Sequence, residues 1–268
     1  MKNKVVIITG ASSGIGKACA EVFGEAGARV VITGRNAANL RAVADHLTAR
    51  GIDNRAVLAD VSVEADNRKM VEETIRAYGR IDVLINNAGI SMRALFEDVD
   101  LDVIRKVMDI NFYGTLYATK YCLPHLIAAK GSVVGISSIA GFRGLPARTG
   151  YSASKFAMQG FLETLRTEML RKDVHVLIAC PGFTASNIRN AALSKDGTPQ
   201  GESPRDEGKM MTSEEVAGHI LRAVEKRKKY LVLTTQGKLT VFLNKWLPGW
   251  MDKMVYNAMA REPDSPLK

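Results

Sequence analysis

The sequence predicts an α/β fold in which about seven parallel strands form one doubly wound sheet with helices on both faces. Two observations lead to this prediction. Short apolar runs alternate along the chain with longer amphipathic stretches. Most of the short runs are nearly continuous Val, Ile and Leu, which is typical of strands that are buried on both faces. The 268 residues contain no Ser-, Pro- or Gly-rich linker and no internal repeat, so we expect a single domain.

The predicted elements follow one another as strand, helix and strand along most of the chain. Each strand is assigned to an apolar run, and each helix to an amphipathic stretch between two such runs. The strands are predicted at residues 5–9, 30–33, 56–59, 83–86, 133–137, 174–180 and 230–234. The helices are predicted near residues 15–26, 36–49, 64–78, 99–129, 150–172 and 213–228.

Two segments interrupt this alternation. Residues 185–212 are polar and contain several Gly and Pro, so we predict a long loop beside the substrate. Residues 238–260 are apolar and are interrupted by Pro248-Gly249, which predicts two short helices with a kink between them. We therefore assign residues 1–237 to the main domain and residues 238–268 to a C-terminal helical extension of it.

Composition and charge exclude several classes of protein. Hydrophobic residues are 46% and charged residues 24%, a globular mixture that excludes a disordered or collagen-like chain. The net charge of +9 suits an anionic small molecule, an anionic membrane surface or nucleic acid. The densest basic run, Lys226-Arg227-Lys228-Lys229, is best explained as a solvated helix end. No RNA-binding aromatic box or zinc-finger spacing accompanies it, so nucleic acid is not an expected partner.

The cysteines and the apolar runs predict the compartment. Cys19, Cys122 and Cys180 are far apart in the sequence, so we expect buried thiols, no disulfide framework and no metal site. The first apolar run ends before Gly10 and is too short for a signal peptide. No run reaches the roughly 18 apolar residues that a membrane span needs. We expect a soluble, cytoplasmic protein.

A glycine-rich segment lies between the first predicted strand and the first predicted helix. Its sequence is Thr9-Gly10-Ala11-Ser12-Ser13-Gly14-Ile15-Gly16. Gly10 allows a tight turn, Gly14 lets the backbone approach a pyrophosphate, and Gly16 lets helix and strand pack closely. The helix N-terminus adds unpaired N–H groups and a partial positive charge. In this context the glycine spacing predicts a Rossmann-like dinucleotide site.

The end of the second predicted strand, Thr33-Gly34-Arg35-Asn36, indicates which dinucleotide binds. Sites for NAD usually place an acidic residue here, which accepts a hydrogen bond from the ribose 2′-hydroxyl. This segment carries no carboxylate. Arg35 instead suits the 2′-phosphate of NADP, and Ser12 adds a hydroxyl donor. We therefore predict NADP (NADPH) in preference to NAD, with a solvated arginine at a helix start as the alternative.

Three further residues predict acid–base chemistry. Tyr151 and Lys155 are four apart at the start of a predicted helix, so they share one face, and Ser138 follows the fifth predicted strand. The carboxyl ends of parallel strands form the ligand crevice, so all three side chains can reach one site. A nearby ammonium favours tyrosinate and lowers the tyrosine pKa. Such a pair can exchange a proton with an alcohol or ketone while a cofactor carries the hydride.

With these motifs, the chain resembles the classical short-chain dehydrogenase/reductase (SDR) family over roughly residues 3–235. The motifs occur in the family's order, and each matches a stretch of known role. The matches are the glycine motif Thr9 to Gly16, Asp60-Val61 against adenine, Asn86-Asn87-Ala88-Gly89 beside the adenosine ribose, the catalytic tetrad Asn111, Ser138, Tyr151 and Lys155, and Pro181-Gly182 over the nicotinamide.

The resemblance implies a role for each member of the tetrad. Tyr151 is the general acid in reduction and the general base in oxidation. Lys155 binds the nicotinamide ribose and lowers the pKa of the tyrosine. Ser138 hydrogen-bonds the substrate oxygen, and Asn111 holds a water that links Lys155 to solvent. The resemblance also implies a homodimer or homotetramer built on the long helices.

One segment departs from the family pattern. Two places after Gly182 the family commonly has an apolar residue, and two places further on it has a threonine. Here these positions are Thr184 and Ser186. Both hydroxyls are candidates for cofactor binding, and which of them serves the nicotinamide carboxamide is left open.

The substrate is predicted only as a class. The candidate pocket segments are residues 91–96, 139–150 and 183–212. The second of them carries Phe142, Leu145 and Pro146 together with Arg143 and Arg148, which suits an anionic group on an apolar carbonyl or alcohol. Arginines that face solvent on a loop are the alternative. The expected substrate is therefore an apolar or lipid-like small molecule.

The C-terminal extension has two apolar stripes at helical spacing. Leu239, Phe242, Leu243 and Trp246 form the first, and Met251, Met254, Val255 and Ala258 form the second. We expect both stripes to be covered, because monomeric proteins rarely expose large apolar patches. Packing against the body or a subunit partner is favoured over a substrate lid. Peripheral membrane contact, helped by Lys238, Lys245 and Lys253, is the least favoured interpretation.

Other functions compete with an oxidoreductase. A non-catalytic dinucleotide-binding regulator or scaffold is the main alternative, but such a protein should have lost Tyr151 or Lys155. A nucleotide-sugar epimerase needs a larger C-terminal substrate domain, and the Tyr–Lys spacing has no role in a methyltransferase. The sequence therefore favours an NADP-dependent ketone reductase or alcohol dehydrogenase.

Overall fold

The computed structural model describes residues 1–185, 187–201, 208 and 210–268. Within these residues seven strands form one parallel sheet in the order β3-β2-β1-β4-β5-β6-β7. The strands are β1 (Val5–Ile8), β2 (Arg29–Gly34), β3 (Asn54–Leu58), β4 (Val83–Asn86), β5 (Ser132–Ile136), β6 (His175–Cys180) and β7 (Tyr230–Val232). The predicted doubly wound α/β fold is confirmed.

The helices cover both faces of this sheet, as predicted. All four residues of β1 are buried, and they alternate between the two faces: Val6 and Ile8 pack in the layer of α1, α2 and α7, whereas Val5 and Ile7 pack in the layer of α3, α5 and α6. Each fully buried aliphatic side chain contributes roughly 1.5–3 kcal/mol to folding. The helices are α1 (Gly14–Glu25), α2 (Ala37–Ala49), α3 (Glu64–Tyr78), α4 (Leu101–Met108), α5 (Gly114–Ala129), α6 (Thr149–Glu168), α7 (Ser213–Glu225), α8 (Thr235–Trp246) and α9 (Pro248–Ala260).

The order of the strands reverses beside β1. This strand pairs with β2 on one side and with β4 on the other, so the connections wind away from it in opposite directions. A crevice opens at the carboxyl ends of the strands at such a switch point. The glycine-rich segment follows β1 directly and therefore lies in that crevice.

The helix predicted over residues 99–129 is wrong in one respect. The structure divides it into α4, a π-helical turn at Asp109–Tyr113, and α5. A π turn inserts one residue into a helix, and an apolar spacing of three and four does not reveal it. Asn111 lies in the turn, and its side chain hydrogen-bonds Ile90 in the loop after β4. The helix predicted to residue 172 likewise ends at Glu168, before a short 3₁₀ turn.

The C-terminal segment forms α8 and α9, with Pro248 at the start of the second helix. Both helices pack on the loop between β5 and α6. Asn244 donates to the Phe142 carbonyl at 3.0 Å, and Leu145 contacts the cluster of Met251, Val255 and Met259. No described helix is long and apolar enough to cross a bilayer.

The protein body leaves most of the predicted apolar stripe on α8 uncovered, so its cover by a subunit partner, which the sequence also allowed, stays a prediction. Leu239, Phe242 and Trp246 point outward and are 53–66% exposed. Gly237 and Asn244 face the body instead, because the close approach of α8 to Ile139 leaves no room for larger side chains. The stripe on α9 is covered only at Met251 and Val255, while Met254 remains exposed.

Candidate active site

The glycine-rich loop lies wholly within the described residues and has no side chains that cover its backbone at the N-terminus of α1, so a ligand can approach the backbone there. Gly10 has φ +63°, and a Cβ added there would lie 2.7 Å from the Cα of Ala88. A Cβ at Gly16 would lie 2.4 Å from the Gly10 carbonyl and from Asn87 Nδ2. The first turn of α1 carries no acidic residue, and the side chain of its N-cap, Ser13, makes no capping hydrogen bond. The residues present therefore fit a pyrophosphate at this helix end.

The loop after β4 braces the glycine loop. Asn87 Nδ2 donates to the carbonyls of Thr9 at 2.9 Å and Gly10 at 3.0 Å. Thr9 Oγ1 accepts from the backbone N–H groups of Asn87 and Ala88 at 3.0 and 3.1 Å. These bonds join the ends of two neighbouring strands and hold Gly10 and Ala88 in close contact, so the two loops form one wall.

Arg35 and Ser12 lie at the end of β2. A Cβ at Gly34 would lie 3.4 Å from Ser12 Oγ, so the hydroxyl is next to the residue that precedes Arg35. Arg35 Nη1 lies 3.7 Å from Asp60 Oδ2. Hydrogen bonds from Ser62 and the charge of Arg35 outweigh partial burial and lower the pKa of Asp60. The carboxylate of Asp60 is thus ionised and directed at Arg35 and Ser62.

Tyr151, Lys155 and Ser138 meet at the carboxyl end of β5. Tyr151 and Lys155 lie one turn apart on α6, and the Lys155 Nζ atom is 5.7 Å from the centroid of the Tyr151 ring. Lys155 is 4% exposed, and its ammonium donates to the Ile136 carbonyl at 2.9 Å. Ser138 is the N-cap of a short 3₁₀ turn and hydrogen-bonds the Tyr151 side chain. The sequence predicted this grouping from spacing alone.

The pKa values of this group are controlled by burial. Burial raises the pKa of Tyr151, while the hydrogen bond from Ser138 and the charges of Arg148 and Arg189 oppose the rise. Burial lowers the pKa of Lys155 to about 8. A lowered tyrosine pKa was expected from the nearby ammonium, but the pKa is raised, because desolvation outweighs the charges near the phenol. Tyr151 is therefore protonated at neutral pH.

Asn111 anchors the loop after β4 to α6. Its Oδ1 accepts from the Ile90 N–H at 2.8 Å, and its Nδ2 donates to the Ile90 carbonyl and to Ser154 Oγ, both at 2.9 Å. A Cβ at Gly89 would lie 3.2 Å from Asn111 Oδ1 and 3.5 Å from Lys155 Nζ. Asn111 therefore sits directly behind Gly89, near Lys155. Its role in holding a water stays a prediction.

The turn after β6 closes the crevice from the other side. A Cβ at Gly182 would lie 2.5 Å from the Thr234 side chain, so only glycine fits beside the strand end. Thr184 is buried, and its Oγ1 donates to the Gly182 carbonyl at 3.2 Å. Arg189 donates to the Thr184 carbonyl at 2.7 Å. Ser186, the other predicted hydroxyl, lies outside the described residues.

These segments enclose a cleft of about 380 Å³. Gly16, Asp60 and Asn111 lie behind its lining. The other predicted site residues that the structure describes all line it: Gly10, Ser12, Ser13, Gly14, Ile15, Arg35, Val61, Asn87, Ala88, Gly89, Ser138, Tyr151, Lys155, Pro181, Gly182 and Thr184.

Sequence reasoning missed several residues of the site. Gln159 is buried one turn after Lys155 and donates to Ser137 Oγ at 2.9 Å, which steadies the strand end that carries Ser138. Its spacing of four from Lys155 and eight from Tyr151 was a signal that could have found it. Phe183, Ile188 and Arg189 also line the cleft. They fall in a predicted pocket segment, but no pattern distinguished them from their neighbours.

The two arginines considered for an anionic substrate group have different positions. Arg148 lines the cleft and also pairs with the buried Glu262 at 2.9 Å. Arg143 does not line the cleft; it donates to Asn244 at 3.1 Å and pairs with Asp252. The expectation is therefore wrong for Arg143, because α8 and α9 supply its partners from more than 100 residues away in the chain.

Comparison with known proteins agrees with this geometry. The family model for short chain dehydrogenases matches residues 4–197. Dehydrogenase/reductase SDR family member 7B of Rattus norvegicus is 40% identical over 241 residues, which cover 87% of this chain and 74% of that protein. The 11-beta-hydroxysteroid dehydrogenase A of Sesamum indicum is 33% identical over 97% of this chain and 78% of its own.

A solved structure shares the fold. It is the alcohol dehydrogenase of the archaeon Thermococcus sibiricus complexed with 5-hydroxy-NADP, with a TM-score of 0.74 and 22% identity over 85% of this chain and 93% of that one. The sheet order, the cleft and the matches over most of the chain lead to one conclusion: this chain belongs to the short-chain dehydrogenase family and is an oxidoreductase with a nicotinamide dinucleotide cofactor.

Proposed function

We propose that the protein reduces an apolar ketone, or oxidises the corresponding secondary alcohol, with NADP(H). The observation that carries this proposal is the position of Tyr151, Ser138 and Lys155 in the same cleft as the N-terminus of α1 and Arg35. A dinucleotide whose phosphates lie at α1 has its adenosine end near Arg35 and its reactive end near Tyr151. The nicotinamide, when bound there, supplies or accepts the hydride.

The residues of the chain move and hold the proton. In reduction the Tyr151 hydroxyl donates its proton to the substrate oxygen, and in oxidation the tyrosinate accepts it. Ser138 hydrogen-bonds the same oxygen and orients it. Lys155, as an ammonium, stabilises the tyrosinate left after donation. Burial lowers its pKa to about 8, which is still above neutral pH, so the ammonium stays largely charged. The raised pKa of Tyr151 keeps its hydroxyl in the protonated, proton-donating form at neutral pH.

The preference for NADP rests on the end of β2. Arg35 and Ser12 line the cleft where the adenosine ribose belongs, and residues 33–36 contain no carboxylate. Asp60 lies 3.7 Å from Arg35, and this exposed pair is weak enough for a 2′-phosphate to compete for the guanidinium. The archaeal structural neighbour was solved with a derivative of NADP, which agrees with this choice.

The substrate class rests on the opposite end of the cleft. Leu145, Phe183 and Ile188 line it with apolar surface, beside Arg148 and Arg189. The sesame relative is named for a hydroxysteroid, a bulky apolar alcohol. Both observations support an apolar, lipid-like ketone or alcohol. We further propose a homodimer or homotetramer in a reducing compartment such as the cytoplasm, which suits the three unpaired buried cysteines.

The direct test is a screen of carbonyl compounds followed by NADPH absorbance. It should include short ketones, long-chain ketones and ketosteroids, each with NADPH and with NADH. We expect turnover of large apolar ketones with NADPH and little with NADH. Turnover confined to small polar ketones would contradict the substrate class, and equal use of the two cofactors would contradict the NADP preference. Light scattering of the purified chain tests the oligomeric state.

A further inference from the structure

The outer face of α8 and α9 is apolar and uncovered in the described part of the chain. Along α8, Leu239, Phe242 and Trp246 share one face, since three and seven residues correspond to about one and two turns. Leu247 and Trp250 continue this surface at the junction of the helices, and Met254 follows one turn later. The six side chains, which we call the outer tail face, are 37–66% exposed.

Basic side chains flank the outer tail face. Between Thr235 and Ala260 the chain carries Lys238, Lys245 and Lys253 against one acidic residue, Asp252. Asp252 is paired with Arg143, whereas none of the three lysines forms an ion pair with another described residue. Lys245 Nζ lies 5.8 Å from the centroid of the Trp246 ring, so an ammonium directly borders the apolar stripe.

We infer that the outer tail face is a docking surface for an anionic lipid bilayer. Exposed Leu and Phe, two Trp and flanking Lys on short amphipathic helices are the combination that lies in the plane of a membrane interface. Trp and Lys suit the headgroup region because each joins an apolar body to a polar end. The inner sides of both helices are occupied by the protein body, so the outer face contacts the bilayer without unfolding of the segment.

Charge distinguishes a bilayer from a second copy of this chain. A two-fold interface places a patch against its own copy, so a face flanked by three lysines would meet a face of the same positive sign. Like charges brought together in this way oppose association. Anionic headgroups instead complement the lysines, at about 1 kcal/mol for each lysine near the surface, and the boundary between headgroups and acyl chains covers the apolar side chains.

The two tryptophans make this surface directly observable. Trp246 and Trp250 are the only tryptophans in the sequence, so the intrinsic fluorescence of the intact protein reports on the outer tail face alone. The full chain is titrated with vesicles of phosphatidylglycerol and phosphatidylcholine, and with vesicles of phosphatidylcholine only. We expect a blue shift, protection from acrylamide and co-sedimentation with the anionic vesicles, all weakened by salt. Absence of these changes with anionic vesicles would overturn the inference.

Matched variants distinguish vesicle binding through the outer tail face from nonspecific adsorption of exposed apolar side chains. Leu239→Ser combined with Phe242→Ser keeps both tryptophans and should weaken vesicle binding about tenfold or more. Leu170→Ser is the control: Leu170 is 68% exposed, but it lies before the amino end of β6, whereas α8 follows the carboxyl end of β7. If Leu170→Ser weakens vesicle binding to the same extent, the outer tail face is not the specific docking surface.

Charge is tested in the same way. Replacing Lys238, Lys245 and Lys253 by Gln should weaken binding to anionic vesicles by roughly fivefold for each lysine. Replacing Lys226, Lys228 and Lys229 by Gln is the matched control. It removes the same number of positive charges between the end of α7 and the start of β7, and it should weaken vesicle binding much less. An equal effect of the two triple variants would overturn the assignment.

A second copy of this chain is the competing occupant of the outer tail face, and it predicts a different result. If tryptophan emission shifts with protein concentration without lipid, and Leu239→Ser with Phe242→Ser dissolves a dimer seen by light scattering, the face is a subunit interface and the inference is wrong. Vesicle binding needs neither cofactor nor substrate, so its result is independent of the carbonyl screen.

Discussion

The two ends of the cleft are built by different means. At the glycine loop the walls are backbone: Gly10 touches Ala88, and Asn87 donates to the carbonyls of Thr9 and Gly10 in the loop itself. At the substrate end the walls are side chains. The C-terminal extension supports them from outside the cleft through ion pairs such as that of Arg148 with Glu262. Backbone contacts tolerate little change, whereas a wall of side chains can be exchanged. The comparison therefore explains how one fold keeps its cofactor and varies its substrate.

Tyr151 lies between the two ends and tests whether they cooperate. Tyr151→Phe keeps the ring and removes the hydroxyl, so NADPH should bind as in the wild type while turnover falls about 10²–10⁴-fold. Fluorescence titration of NADPH and steady-state kinetics measure the two effects. Turnover close to that of the wild type would mean that another group donates the proton.

The brace behind the substrate end is tested at Glu262, which is buried and pairs with Arg148 at 2.9 Å and with Arg93 at 3.7 Å. Glu262→Gln removes a buried carboxylate that pairs with two guanidinium groups, so we expect a loss of about 3 kcal/mol in the free energy of unfolding. The KM for large ketones should rise more than the Kd for NADPH. Asp264→Asn, an exposed change two residues later, is the control. Equal losses of ketone and NADPH affinity would contradict a separation of the two ends.

The cofactor end is tested at Arg35. Charge-assisted hydrogen bonds contribute roughly 1.5–3 kcal/mol, so Arg35→Asp should weaken NADPH binding about ten- to a hundredfold. It should spare or improve NADH binding, because the new carboxylate can accept from the ribose hydroxyl. Isothermal titration of both cofactors measures the change. A parallel loss of NADH affinity would show that Arg35 supports the fold rather than the 2′-phosphate.

The smallest expected effect concerns the buried ammonium. The pKa of Lys155 is about 8 in the folded protein and near 10.4 in an unfolded chain. The folded state therefore binds fewer protons between these values, so the charge costs stability below pH 8 and the cost is relieved as pH rises. The wild type should gain stability relative to Lys155→Met between pH 8 and 10, by at most about 1.4 kcal/mol per pH unit. Urea denaturation at several pH values measures the difference, and a constant difference would contradict a buried, charged lysine.

Much of the cofactor end was predictable from local sequence. The glycine spacing, the missing carboxylate after β2 and the Tyr–Lys spacing each describe a few neighbouring residues, and the structure brings them to one cleft. Two expectations at this end, an unbroken helix through Asn111 and a lowered tyrosine pKa, were wrong for physical reasons. The π turn places Asn111 against Ile90, which lies 21 residues away in the chain, and burial raises the pKa of Tyr151. Neither property depends on the spacing of neighbouring residues.

The sequence alone determined the doubly wound sheet, the alternation of strands and helices along the chain, and the position of the glycine loop. These features depend on hydrophobic periodicity and glycine geometry, which act over a few residues. Only the tertiary structure decided that Arg143 turns to the tail, that Gln159 supports the Ser138 strand end, and that Leu239, Phe242 and Trp246 face outward. An amphipathic pattern states that a helix has an apolar face. Which face meets the protein depends on the shape of the surface on which the helix packs, and that surface is assembled from residues far away in the chain.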